Sequence, residues 1–301
     1  MWQKNISLKQ KSSFRLGGKA KHYASVANEQ ELLAHLSEAE AQGGQPLIFG
    51  SLTNVLLPDE DLDWVIQLIA PDQLPTPDSQ GRLEVWSGQS VARLANSLMG
   101  QGWAGLEVFT GLPGTIGGAI WNNAHFQTHF ITDTVEKVRF FDQRTHETIE
   151  QGISELDFAY DHSNFQTQPL IILRADFRLE KADVATLQKK ALEANQYRKQ
   201  TQPLGEASAG CFWKNTLNND FLRQMFPQFA PQKLISSGFL MDQAGLKGTS
   251  VGGAKVSERH AAFIVNTGGA TSQDVKALAT LIKKTVKEKF KVDLIPEVRI
   301  V

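Results

Sequence analysis

Cysteine is almost absent from this chain of 301 residues, since Cys211 is the only one. A single cysteine excludes an intramolecular disulfide, and its scarcity fits a reducing compartment. Long apolar runs are missing too. No stretch reaches the length that spans a bilayer, and the amino-terminal segment MWQKNISLKQKSSFRLGG lacks an apolar core of signal-peptide length. These absences predict a cytoplasmic protein with no membrane partner.

An excess of charge of one sign is also missing. Basic residues number 31 and acidic residues 32, which gives a formal net charge of -1 at pH 7. Because no basic block stands out, a nucleic-acid partner is not expected. Of the seven histidines, only His125 and His129 form a pair spaced i, i+4, and no third ligand accompanies them. The sequence therefore predicts no metal site.

The chain has an ordinary globular composition, with 41% hydrophobic and 21% charged residues. Its length favours two or three domains of an α+β protein. Residues 1–72 read as a first domain with a helix capped by Asn28, and residues 71–80 read as a linker. Residues 73–181 form a second predicted domain that closes with a strand. Residues 182–301 form a third, with a long amphipathic helix that begins at Thr271 and a final strand over 292–301.

Two glycine-rich segments stand out, although the sequence has neither a Rossmann fingerprint nor a P-loop. The first is residues 50–54, where small residues leave backbone N–H groups free to converge on a phosphate. The second is residues 111–119, with four glycines and a proline, which allow a flat ring or a diphosphate to approach the backbone closely. Either segment could also be an ordinary tight turn, but no simple turn needs the glycine content of the second.

Several longer segments resemble the UDP-N-acetylenolpyruvoylglucosamine reductase (MurB) family. They span nearly the whole chain in order: FRLGG at 14–18, the segments 50–54, 105–107 and 111–119, QPLG at 202–205, SAGCFWKN at 208–215, DQAGLKG at 242–248, GGA at 252–254 and PEV at 296–298. The segments from 208 onward distinguish this family from other flavoproteins of the same fold.

The resemblance implies a vanillyl-alcohol-oxidase (PCMH-type) FAD-binding fold of two small subdomains, followed by a MurB-type α+β substrate domain. It implies FAD and NADPH as cofactors and a UDP-sugar as substrate. The family's reaction converts UDP-N-acetylglucosamine enolpyruvate to UDP-N-acetylmuramate for peptidoglycan synthesis. The cofactor performs the redox step, so the protein must position the substrate, stabilise charge and supply a proton.

The resemblance also implies site residues. Those expected to contact the cofactor are Gly50, Ser51, Thr53, Asn54, Pro113, Gly114, Thr115, Gly117, Gly118, Ala119 and Asn123. The first segment departs from the family's G-G-G-S-N at positions 51 and 52. Those expected to contact the substrate are Tyr160, Lys214, Asn215 and Gln243.

Two residues are expected to be catalytic. Cys211 occupies the place of the family's proton-donating serine, and a thiol, with an ordinary pKa of about 8.5, is a far stronger acid than an alcohol. A lone cysteine can also be a small buried hydrophobe. Glu297 matches a family carboxylate that steers the proton.

One departure affects the chemistry. The family shows Tyr-Arg-x-Ser, whose arginine polarises the substrate carboxylate, but this chain has Asp161 after Tyr160. An acid cannot replace a cation. Arg174, Arg198 and Lys214 are candidates for the missing charge. Two alternatives stay open: an oxidase of the same fold that uses oxygen, and a degenerate homologue that binds FAD or a UDP-sugar without catalysis.

Overall fold

The structure, a computed structural model, describes residues 1–301 and divides them into two compact units. The first unit contains residues 1–6, 20–51 and 63–200, and the second contains residues 7–19, 52–62 and 201–301. The second unit therefore takes two segments from the amino-terminal third of the chain.

Seven α-helices are present: α1 (Glu29–Ala41), α2 (Val91–Gly100), α3 (Ile116–Asn122), α4 (Val184–Thr201), α5 (Asp220–Met225), α6 (Ser237–Gln243) and α7 (Ser272–Phe290). None of them is both long enough and apolar enough to cross a membrane.

The strands are β1 (Gln3–Ser7), β2 (Lys19–Val26), β3 (Leu47–Phe49), β4 (Val55–Leu56), β5 (Leu62–Leu68), β6 (Arg82–Trp86), β7 (Trp103–Ala104), β8 (His125–Phe126), β9 (His129–Phe130), β10 (Val135–Asp142), β11 (Glu147–Gly152), β12 (Leu170–Arg178), β13 (Glu180–Lys181), β14 (Ala207–Cys211), β15 (Thr216–Leu217), β16 (Leu234–Ile235), β17 (Ser250–Val251), β18 (Ala254–Val256), β19 (Phe263–Asn266) and β20 (Arg299–Ile300).

The first unit holds two four-stranded sheets. One has the order β1-β2-β5-β3, and its apolar residues pack with Leu32 and Leu36 of α1. As predicted, Asn28 caps α1 by accepting a hydrogen bond from the Glu31 N–H at 2.9 Å. The other sheet has the antiparallel order β11-β10-β12-β6, and its core includes residues of α2 and α3. The glycine-rich segment 111–119 is hydrogen-bonded to residues that follow β6 of this sheet.

The second unit is built on the sheet β14-β19-β18-β17, against which α7 packs. The predicted start of α7 is confirmed, because Thr271 and Asp274 form a reciprocal capping box. Phe14, Leu16 and Leu56 are buried in this core, which explains why their segments belong to the second unit.

The sequence predicts three domains with boundaries near residues 72 and 181, and this division remains a prediction. The two compact units have boundaries at other residues. Helix α4 belongs almost entirely to the first unit, because Ala194 is buried in its core and Arg198 donates to a carbonyl there. The predicted final strand is shorter than expected. Only β20 is a strand, and it pairs in parallel with β4, while Pro296 forms a single bridge to Trp213.

Candidate active site

The segment 111–119 forms backbone hydrogen bonds with the residues that follow β6. The backbone N–H of Ile116 donates to the carbonyl of Gln89 at 2.8 Å, and that of Gly117 donates to the carbonyl of Ser87 at 2.7 Å. A Cβ added to Gly117 would lie 2.8 Å from the Cβ of Ser87, so the close approach requires glycine. The predicted cofactor loop is therefore a firmly held part of the first unit.

Gly50 and Thr115, one from each glycine-rich segment, are in contact within the first unit. A Cβ added to Gly50 would lie 2.2 Å from Oγ1 of Thr115. The same hydroxyl caps α3 by accepting a hydrogen bond from the Gly118 N–H at 3.3 Å. Just before it, Gly114 has a φ of +130°, a conformation that glycine adopts without strain. Ser51 follows Gly50 directly, so five predicted cofactor residues lie close together.

Two buried polar side chains beside this loop lack hydrogen-bond partners. They are Ser87, through its Oγ, and Gln89, through both atoms of its amide, and each residue is fully buried. Buried polar groups are nearly always paired, because an unpaired one costs about 1–3 kcal/mol. A ligand with both donors and acceptors would satisfy them. An adenine dinucleotide carries both, so these residues fit FAD. The sequence analysis missed both positions, because neither belongs to a glycine-rich motif.

Asn123 joins the end of α3 to a neighbouring turn. Its φ is +47°, its Nδ2 donates to the carbonyl of Ala159 at 2.9 Å, and its Oδ1 accepts from Oγ1 of Thr132 at 2.7 Å. The preceding Ala119 is buried in the core of the unit at 7% exposure. Cofactor contacts by Pro113, Ala119 and Asn123 remain predictions.

A histidine lies beside Asp161, the residue that follows Tyr160 in place of the arginine of the Tyr-Arg-x-Ser pattern. Asp161 sits in a left-handed turn, with a φ of +49°, and its side chain is fully buried. Nδ1 of His125 lies 3.3 Å from Oδ1 of Asp161, and 22% of the His125 side chain is exposed. The His125 ring also lies against Tyr160, with 4.9 Å between ring centroids. The sequence analysis considered His125 only as a metal ligand.

Two of the three cations proposed to replace the arginine have partners in the first unit. Nε of Arg174 lies 3.2 Å from the carboxylate of Glu29. Arg198 is 6% exposed and donates from Nη1 to the carbonyl of Val108 at 3.0 Å, and burial lowers the pKa of its guanidinium. Lys214 lies in the second unit. Within the first unit, Arg174 therefore contacts Glu29 and Arg198 contacts the carbonyl of Val108.

Cys211 ends β14 at an irregularity in the sheet. It pairs with Phe263 of β19, and the register shifts between Ser208 and Cys211. Gly210, within this shift, has a φ of +80°. A bulge of this kind re-aims the side chain that follows it. Cys211 is half-buried, whereas the next two residues are buried in the core.

The carboxyl-terminal segment brings Glu297 beside β14. The Glu297 N–H donates to the carbonyl of Phe212 at 2.9 Å. Trp213 and Pro296 form an antiparallel bridge one residue further along. The two predicted catalytic residues, Cys211 and Glu297, therefore lie on neighbouring segments of one unit.

Asn54, at the end of the first glycine-rich segment, forms two hydrogen bonds with the same carboxyl-terminal segment. Nδ2 of Asn54 donates to the carbonyl of Glu297 at 3.2 Å, and the Arg299 N–H donates to the carbonyl of Asn54 at 3.1 Å. Leu52 adopts a φ of +54° where the family has glycine, and its side chain is 2% exposed. Burial of this leucine offsets a conformational cost of about 1–2 kcal/mol. Cofactor contacts by Thr53 and Asn54 remain predictions.

The three predicted substrate residues of the second unit, Lys214, Asn215 and Gln243, do not all lie close to one another. The Lys214 N–H donates to the carbonyl of Ile295 at 2.9 Å, beside Glu297. Oδ1 of Asn215 accepts from the Ser237 N–H at 3.2 Å, at the first turn of α6. Gln243 is the last residue of that helix and is exposed. A helix rises about 1.5 Å per residue, so about 9 Å of helix separates Gln243 from Ser237.

No group of three or more His, Cys, Asp and Glu side chains that could hold a metal ion is found in the structure. The expected absence of a metal site remains a prediction.

Two family models match the chain. The model described as an FAD binding domain matches residues 20–150, and the model described as the UDP-N-acetylenolpyruvoylglucosamine reductase C-terminal domain matches residues 202–301. The α+β flavoprotein fold predicted from the sequence is thereby confirmed.

Relatives of the full chain carry the same family name. A UDP-N-acetylenolpyruvoylglucosamine reductase of Caldanaerobacter subterraneus subsp. tengcongensis is 36% identical over 99% of this chain and 92% of its own length. One of Chlamydia felis is 33% identical over 99% of this chain and 94% of its own length. The crystal structure of the Thermus caldophilus reductase (MurB) superposes with a TM-score of 0.79 at 28% identity, covering 100% of this chain and 99% of that one. This chain therefore belongs to the UDP-N-acetylenolpyruvoylglucosamine reductase (MurB) family.

Proposed function

We propose that this protein uses NADPH and bound FAD to reduce UDP-N-acetylglucosamine enolpyruvate to UDP-N-acetylmuramate, a peptidoglycan precursor. Full-length relatives with this name support the reaction class. One observation in the structure carries the chemistry: the backbone hydrogen bond from Glu297 to Phe212, which aligns the Glu297 segment with the end of β14. This alignment supports a shared role for the Glu297 carboxylate and the adjacent Cys211 thiol.

Cofactor binding is assigned to the two glycine-rich segments. Gly50 and the four glycines of the segment 111–119 carry no side chain, so a diphosphate or a flat ring can approach the backbone closely there. Ser87 and Gln89 supply buried polar atoms for the dinucleotide. When bound, FAD supplies the hydride that it receives from NADPH.

Protonation is assigned to the second unit. A hydride added to the methylene carbon of the enolpyruvyl group leaves an electron pair on the neighbouring carbon, delocalised into the carboxylate. Cys211 donates the proton of its Sγ to that carbon, which completes the lactyl ether. Glu297 stabilises the proton at the thiol before transfer, and Lys214 with Asn215 orients the sugar nucleotide. Tyr160 is assigned a further contact with the substrate.

The same proposal places the protein in the cytoplasm, because NADPH and nucleotide sugars are available there. A single cysteine in 301 residues agrees with that compartment.

The first experiment follows NADPH absorbance with FAD-loaded protein, with and without UDP-N-acetylglucosamine enolpyruvate. We expect oxidation that depends on the sugar nucleotide. Cys211→Ala should abolish steady-state turnover while leaving the reduction of the flavin by NADPH intact, and Cys211→Ser should restore turnover. Oxidation that depends on oxygen alone would favour an oxidase, and no dependence on the sugar nucleotide would favour a non-catalytic binder.

A further inference from the structure

The proposed reaction needs a cation at the substrate carboxylate. As the hydride adds, negative charge develops on the carbon beside that carboxylate and spreads into its oxygens. A positive group placed there binds the transition state more tightly than the ground state, which accelerates the step. The residue after Tyr160 is Asp161, which is negative when ionised and cannot perform this role.

The buried Asp161 side chain orients the ring of His125. Nδ1 of His125 lies 3.3 Å from Oδ1 of Asp161, within ion-pair distance. This contact orients the ring with Nδ1 towards the carboxylate, and it leaves Nε2 for a second partner. Because 22% of the His125 side chain is exposed, a ligand can reach it.

The turn that carries Asp161 is firmly attached to the end of α3. Oγ of Ser163 donates to the carbonyl of Trp121 at 2.6 Å, and Nε2 of Gln166 donates to the carbonyl of Asp161 at 3.1 Å. Asn123 adds its hydrogen bond to the carbonyl of Ala159. The His125–Asp161 pair is thus fixed to the helix that the segment 111–119 begins.

The two arginines of the first unit considered as replacements have different contacts. Arg174 is paired with Glu29, and Arg198 is nearly buried and donates to a backbone carbonyl. His125 instead has a carboxylate on one ring nitrogen, an aromatic ring beside it and an exposed portion.

We propose that His125, oriented by Asp161, binds the enolpyruvyl carboxylate and replaces the arginine that this chain lacks. Asp161 is a positioning residue in this arrangement. The inference rests on the proposed function, because the carboxylate belongs to the proposed substrate.

The test compares two ligands that differ in the enolpyruvyl group. Dissociation constants of FAD-loaded protein are measured by calorimetry for UDP-N-acetylglucosamine enolpyruvate and for UDP-N-acetylglucosamine. His125→Gln should weaken binding of the first by about ten- to a hundredfold, the effect of losing a charged hydrogen bond, and leave the second unchanged. Asp161→Asn should act in the same direction but less strongly. His125→Lys, which places a cation at this position, should recover part of the loss.

His162→Gln is the matched control. His162 lies on the same turn and pairs with Asp157 at 3.3 Å, but its side chain is 36% exposed and that of Asp157 is 77% exposed. We expect this variant to bind both ligands as the wild type does.

Two results would overturn the inference while the proposed function stands: wild-type turnover with an unchanged affinity ratio in His125→Gln, or an equal loss of affinity for both ligands, which indicates a purely structural pair. A wild-type protein that oxidises no NADPH with the enolpyruvyl substrate would overturn the function and the inference together.

Discussion

The contact between Gly50 and Thr115 leads to a quantitative prediction. In Gly50→Ala, the added Cβ would lie 2.2 Å from Oγ1 of Thr115 and 3.2 Å from its Cβ and Cγ2. The hydroxyl must then move by roughly 1 Å or more to reach ordinary van der Waals contact. That movement breaks the cap on the Gly118 N–H. Loss of a threonine cap costs about 1 kcal/mol, and overpacking costs about 1–3 kcal/mol.

The expected loss is therefore about 2–4 kcal/mol in the free energy of unfolding of the apoprotein. Thr115→Gly removes the obstructing side chain, and a glycine cap costs only a few tenths of a kcal/mol. We expect Gly50→Ala to be nearly neutral in the Thr115→Gly background. The coupling energy of this double-mutant cycle should therefore be about 2–4 kcal/mol, because the whole loss disappears in the Thr115→Gly background.

The assay is urea unfolding of the apoprotein, followed by the fluorescence of its six tryptophans. Gly100→Ala is the matched control, because an added Cβ meets no atom within 4 Å there and α2 ends at that residue. It should be neutral or slightly stabilising. The reasoning is refuted if the losses of stability in Gly50→Ala and Thr115→Gly simply add in the double variant. It is also refuted if Gly50→Ala is as stable as Gly100→Ala.

Three further predictions follow from the structure. Gly117→Ala should lower the urea midpoint of the apoprotein, whereas Gly118→Ala, with its nearest atom 3.4 Å away, should keep that midpoint and weaken FAD binding in a fluorescence titration. Burial, followed by the charge of a nearby lysine, lowers the pKa of His260, so the unfolded chain binds a proton that the folded chain does not. The free energy of unfolding should therefore fall as the pH drops below about 6.5, the ordinary pKa of histidine. His260→Asn should reduce this pH dependence. Urea titrations at pH 7.5 and pH 5.5, roughly one unit above and one unit below that pKa, measure it. Asn54→Ala should lower the rate of substrate reduction more than the rate of flavin reduction by NADPH, because it releases the carbonyl of Glu297; equal losses in stopped-flow measurements would contradict this role.

Local sequence signals predicted local structure well. Asn28 caps α1 and Thr271 caps α7 as expected, because a cap depends on residues three positions apart. The long glycine-rich segment was also recognisable from its four glycines, although the approach of Ser87 that requires glycine at position 117 is visible only in the structure.

The sequence therefore determined the helix starts, the flavoprotein loops and, through family resemblance, the type of reaction. Tertiary structure decided which distant segments meet. Residues 7–19 and 52–62 join the second unit because their apolar side chains fill its core. His125 and Asp161 are 36 positions apart in the sequence, and they meet because a left-handed turn and the hydrogen bonds at the end of α3 bring them together. Periodicity and motif spacing report only neighbours along the chain, so a pair of this kind becomes visible only in the folded protein.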